Sequence, residues 1–125
     1  MEFELIRMKY AFAMQLAEQV IEADDVILKE EKEYFDLVFP EALLQKLALE
    51  DPKDVKVCYE KAVDELPERL DLEQKLEIFG LLLGASVADD FLEFREFGVL
   101  EASAKILGIP PEIMMDYIDG MFLQD

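Results

Sequence analysis

Histidine and tryptophan are both missing from this 125-residue chain, and cysteine occurs once, at Cys58. Without histidine, no Ser-His-Asp or Cys-His nucleophilic site can be assembled, and the usual zinc ligand sets are out of reach. With a single thiol, any bound metal has to be held by oxygen, which selects calcium, magnesium or manganese. A lone cysteine has no internal disulfide partner, which points to a reducing, cytoplasmic setting. Cys58 stands at an apolar helical position and reads as a small buried hydrophobe rather than a nucleophile. Glycine and proline number five each, so little punctuates the chain and long helices are expected over many short strands. The longest nearly apolar run, Ile78 to Ala88, is eleven residues, well short of the roughly 20 that a bilayer-spanning helix needs. The opening MEFELIRMKY lacks the basic stretch of a secretory leader, so none is expected.

What the chain has in quantity is apolar and acidic residues. Hydrophobic residues make up 53%, enough to fill one core, so a single domain over residues 1–125 is expected. Thirty acidic residues against twelve basic ones give a net charge of −18. Residues 1–62 carry 15 acids and 8 bases, and residues 63–125 carry 15 and 4, so the excess runs through both halves rather than sitting in a tail. Such a field repels a nucleic-acid backbone and an anionic membrane surface. Cations and other proteins with basic patches remain as partners, alongside the plain reading of solvated acidic faces.

The apolar spacing predicts six or seven helices and no strand. Leu5, Met8, Phe12, Leu16 and Val20 follow helical spacing through a first helix that ends near Ala23. A second runs from about Lys29 to Phe39, is interrupted by Pro40, and gives way to a short third from Glu41 to Leu49. Asp51-Pro52 is a strong helix start. The helix it opens carries Val55, Cys58 and Tyr59, Ala62 and Val63, and Leu66 as one stripe, and Pro67 is expected to close it. Asp71 with Gln74 reads as a capping box, opening a fifth helix through about Val87. Gly80, Gly84 and Ala88 recur every four residues there, which predicts a close approach of another helix, with the first as the candidate. A sixth helix, from about Glu93 to Leu107, ends at Gly108 in a left-handed cap, and Pro110-Pro111 starts the last. The fold class is all-α, a compact bundle built around two similar helix hairpins.

The hairpins share a short acidic text. ADDVILKEE starts at Ala23 and ADDFLEFRE at Ala88; each is Ala-Asp-Asp, two apolar residues, three variable positions and a glutamate. The shared acids are Asp24 and Asp89, Asp25 and Asp90, and Glu31 and Glu96. Two readings of them stand side by side. The aspartates cap the backbone N–H groups of the helix that follows, supported by the glutamates; or the six carboxylates of two neighbouring turns assemble an oxygen-rich site for a hard cation. Neither copy is an EF-hand loop, because with Asp24 as the first position Val26 and Leu28 stand third and fifth, where ligands are needed.

The doubled pattern, with LEASAKILGIPPE after the second copy, resembles the TerB-like tellurite-resistance family and the related N-terminal domain of DjlA-like co-chaperones. The likeness covers the organisation from about Tyr10 to Asp119, and the motifs themselves about twenty residues. Where that family has glycine after the motif aspartate, this chain has Asp25 and Asp90, and aspartate is among the few residues that tolerate a left-handed backbone. A helix-starting serine or aspartate often follows the aliphatic position in the family; Leu28 and Glu93 stand there here.

The resemblance implies a non-enzymatic, cytoplasmic domain of a stress or metal-ion response, in which Asp24, Glu31, Asp89 and Glu96 are the motif acids of a divalent-cation site. The alternative it implies is a metal-independent protein-interaction module of the DjlA N-terminal type. Tyr34, Phe35, Phe39, Phe91, Phe94 and Phe97 are expected in the core rather than around a ligand. Met114, Met115 and Met121 are expected chiefly in packing, with an adaptable binding surface as the other role. No carboxylate pair among thirty acids stands out as general acid and base, and no enzyme is expected.

Overall fold

Phe3–Glu22 (α1) is apolar on nearly every side, and a helix of that kind is stable only when other helices surround it. The computed structural model describes residues 3–22, 29–86 and 94–123, and among them α1 is the central element. Met8, Ala11, Phe12, Ala13 and Val20 are fully buried along it. Around α1 stand Lys29–Val38 (α2), Glu41–Lys46 (α3), Pro52–Arg69 (α4), Leu72–Ser86 (α5), Phe94–Leu107 (α6) and Pro111–Leu123 (α7). All the regular structure among the described residues is helical, in these seven helices, and none of them is long and apolar enough to cross a membrane.

The α4 stripe behaves as its spacing predicts: Val55, Cys58, Ala62 and Leu66 are its buried residues, and α4 packs chiefly on α1. Each large apolar side chain removed from water there stabilises the fold by about 1.5–3 kcal/mol. Phe12 of α1 stacks on Tyr59 of α4, with ring centroids 5.7 Å apart. Two ion pairs fasten the edges of α1, Lys61 of α4 to Glu4 at 3.1 Å and Lys9 to Glu77 of α5 at 3.4 Å. Solvent reaches at least one partner of each pair and screens it, so both are minor beside the apolar burial. The one fully buried polar side chain among the described residues, Ser103, donates its hydroxyl to the Leu100 carbonyl at 2.8 Å and so leaves no unmet group.

The helix starts read from sequence are present in detail. The Asp51 side chain accepts the Lys53 N–H at 2.9 Å. Asp71 and Gln74 exchange both bonds of a capping box: the Gln74 N–H donates to the Asp71 carboxylate at 2.8 Å, and the Asp71 N–H donates to the Gln74 side-chain oxygen at 3.0 Å. Gly108 has φ +83° and closes α6, with the Ile109 N–H bonded to the Ala104 carbonyl.

Two expectations about elements need correction. Pro67 does not close α4, which runs two residues further to Arg69. The proline loses the bond its own nitrogen would have made to Val63 and its ring bears on that carbonyl in the preceding turn, so the residues after it can stay helical. The Leu70 N–H still reaches the Leu66 carbonyl at 3.0 Å and completes the end. The third helix is also shorter than expected: it ends at Lys46, and Leu47–Leu49 form a left-handed cap in which Ala48 has φ +56°. The expected continuation of α5 to Val87, and the place of Ala88, lie outside the described residues.

Candidate functional site

The two acidic segments interrupt the hairpins just where α1 and α5 end. Asp24, Asp25, Asp89 and Asp90 lie outside the described residues, as do the side chains of Glu31 at the start of α2 and Glu96 at the start of α6. Both readings of these acids, cap and ligand, therefore rest on what flanks them.

The flanks are fastened to each other. Tyr34, five residues into α2, donates its hydroxyl to the Leu81 carbonyl of α5 at 3.0 Å. Its ring lies on Gly84, where a methyl group would overlap the tyrosine hydroxyl and ring. Burial, and then the neighbouring Tyr117, push the Tyr34 hydroxyl above its ordinary pKa, so it stays a protonated donor. From helical rise and the reach of one tyrosine, Lys29 and Ser86 stand within about 20 Å of each other. The helix leaving the first acidic segment is thus tied to the helix entering the second.

Gly80 repeats the device one turn earlier. A Cβ there would stand 2.5 Å from the Tyr117 hydroxyl of α7. α5 does pack closely on α1, but the space at the two glycines is taken by tyrosine side chains, from α2 and α7. Sequence showed the missing side chains on α5 but not which bulky groups fill the space. Around Tyr117 is a cleft of about 410 Å³ lined by Lys9, Tyr10, Glu77, Gly80 and Leu81. None of these was singled out in the sequence except Gly80, and the paired glycines are the one signal that marks the spot.

Most of the remaining candidates resolve as packing where they are described, but Met115 and Met121, expected chiefly in packing, do not. Phe39 is buried, and Tyr34, Phe35 and Phe97 pack against the core; Phe91 and the side chain of Phe94 are outside the described residues. Met114 is buried, while Met115 and Met121 are exposed on α7. Cys58 is a free, buried thiol, and burial pushes its pKa upward, the opposite of what an activated nucleophile needs. Among the described residues there is no group of three or more carboxylates or thiols placed to hold a metal ion. A comparison of the chain with protein-family models, with curated proteins and with solved structures finds no match in any of the three.

Proposed function

We propose that the chain is a non-enzymatic, cytoplasmic TerB-like domain whose two acidic inter-helix segments jointly hold one divalent cation. Asp24, Asp25, Glu31, Asp89, Asp90 and Glu96 supply the carboxylates. The observation that supports this reading is the Tyr34 fastening of α2 to Leu81 and Gly84 of α5, which ties the helix after the first segment to the helix before the second. Oxygen is the only hard donor available in number, since the chain has no histidine and its thiol is buried. Six carboxylates suit calcium, magnesium or manganese, and a cation offsets their mutual repulsion. The doubled motif supports a role in a stress or metal-ion response, as in the tellurite-resistance domains it resembles.

Isothermal calorimetry with calcium, magnesium and manganese tests the reading. One equivalent is expected to bind, with the heat lost in an Asp24→Ala/Asp89→Ala variant that still melts cooperatively. A cation present at 100 times its Kd should also raise stability by about 2.7 kcal/mol. Absence of heat with all three metals at millimolar concentration overturns it.

A further inference from the structure

Tyr117 stands in the middle of a groove rather than at the mouth of one pocket. On its other side a second hollow of about 370 Å³ is lined by Leu72, Glu73, Leu76 and Glu77. The two hollows adjoin at Glu77 and Tyr117, which line both. Together they run along α5 beside Tyr117 of α7, with Lys9 and Tyr10 of α1 walling the first. The floor follows from helical spacing: Leu72, Leu76 and Gly80 recur every four residues on α5. The groove exists because α7 packs chiefly on α6, and reaches α5 through Tyr117, laid on Gly80 and edge-on to Phe79 at 5.9 Å. Leu72, 40% exposed, opens one end. At the other end Lys9 is held by Glu77.

We infer that this groove docks an amphipathic helix of a partner protein, with apolar residues on one face and lysine or arginine along its edges. The dimensions fit. Leu72 to Leu81 spans about 13.5 Å of α5, and three anchors at i, i+4 and i+7 of a docked helix span about 10.5 Å. The charge fits as well. Glu73 and Glu77 line the wall, Lys9 is already paired with Glu77, and the whole chain carries −18. That field draws basic segments in. It also argues against a second copy of the chain as the occupant, since two such surfaces repel. The inference is independent of the cation proposal, because none of the groove residues belongs to the acidic motifs.

The test uses a fluorescein-labelled leucine–lysine peptide of roughly 18 residues, about 27 Å long when helical, read by fluorescence anisotropy. A second peptide of the same composition, scrambled to destroy the apolar face, controls for net charge. The first is expected to bind in the micromolar range, about tenfold or more tighter than the scrambled one. Leu72→Ser and Glu73→Gln, both at exposed positions, should each weaken it severalfold, while Leu37→Ser on α2 leaves it unchanged. Equal binding of the two peptides, no binding at about 100 μM, or equal weakening in Leu37→Ser overturns the inference. So does sedimentation showing a wild-type dimer that Leu72→Ser dissolves, for then a second copy fills the groove.

Discussion

Ala48 carries a backbone conformation that its side chain disfavours. It is exposed at φ +56°, in the position that Gly108 occupies with φ +83° at the end of α6. The bonding is the same in both: Leu49 N–H to the Leu44 carbonyl and Ala48 N–H to Gln45, against Ile109 to Ala104 and Gly108 to Lys105. Arg7 holds the first of these ends, its guanidinium donating to the Leu47 carbonyl at 2.8 Å and the Ala48 carbonyl at 3.2 Å. A left-handed alanine costs roughly 1–2 kcal/mol, part of which glycine would lose again through its freer unfolded chain. Ala48→Gly is therefore expected to stabilise by about 0.5–1 kcal/mol, raising Tm by about 2–5 °C. An unchanged or lowered Tm in calorimetry would mean that Arg7, not φ, sets the energy of this turn.

Gly84 makes the opposite case, a glycine whose value is space. In Gly84→Ala the new methyl displaces Tyr34 and its bond to Leu81. Overpacking costs about 1–3 kcal/mol, only partly offset by the roughly 1 kcal/mol that alanine gains in a helix. A net loss of up to about 2 kcal/mol is expected in urea melts. In a Tyr34→Ala background the obstacle is gone, and the same change should become neutral or stabilising. That reversal of sign separates crowding from any general intolerance of α5, and equal losses in both backgrounds would refute the crowding.

At the scale of elements, helices with a capping signature were legible in sequence almost to the residue. Asp71-x-x-Gln74 names its own start, because both side chains satisfy backbone groups within four residues. Asp71→Ala is accordingly expected to cost about 1 kcal/mol, with Asp71→Ser retaining most of it; urea midpoints of the two variants decide. Where a feature depends on a distant partner, local reading failed. Pro67 looks like a stop, yet its effect falls on the turn before it. The glycines of α5 predict a neighbour, but α2 and α7 supply it from 47 and 37 residues away, as Tyr34 to Leu81 and Tyr117 to Gly80. The cap at Ala48 carried no glycine to announce it, though the parallel with Leu107-Gly108-Ile109 is plain once both are seen. Each leads within three or four residues to a proline at the first turn of the next helix, Pro52 or Pro111. Ahead of the two similar caps stand two helices in the first case, α2 and α3, and one in the second, α6. Of the candidate site, the acids were read from their repetition, whereas the Tyr34 bond that draws their flanks together had no signature in either motif.

Across the whole molecule, four groups among the described residues give stability a pH dependence of one sign on the alkaline side. Burial raises the pKa of Tyr34 and Tyr59 above their ordinary 10.0 and that of Cys58 above 9.0. Lys61 is raised above 10.5 mainly by its hydrogen bond to Glu4. In every case the folded chain holds its proton more tightly than the unfolded one. Between the unfolded and folded pKa values the native state therefore binds more protons, and stability falls as pH rises. The contribution is fully present below about pH 9, is drawn down first by Cys58, and then by the tyrosines and Lys61 above pH 10. The charge of −18 at neutral pH becomes more negative over the same interval and acts in the same direction. Urea midpoints are expected to hold steady from pH 7 to about pH 9 and to decline beyond it, with Cys58→Ala shifting the onset upward. Tyrosinate absorbance should show Tyr34 and Tyr59 ionising later than free tyrosine in the folded chain, and Tyr34→Phe should remove one of these two late components. A midpoint that rises from pH 9 to 11 would require these groups to be better ionised in the folded state, which their burial and the Glu4 bond oppose.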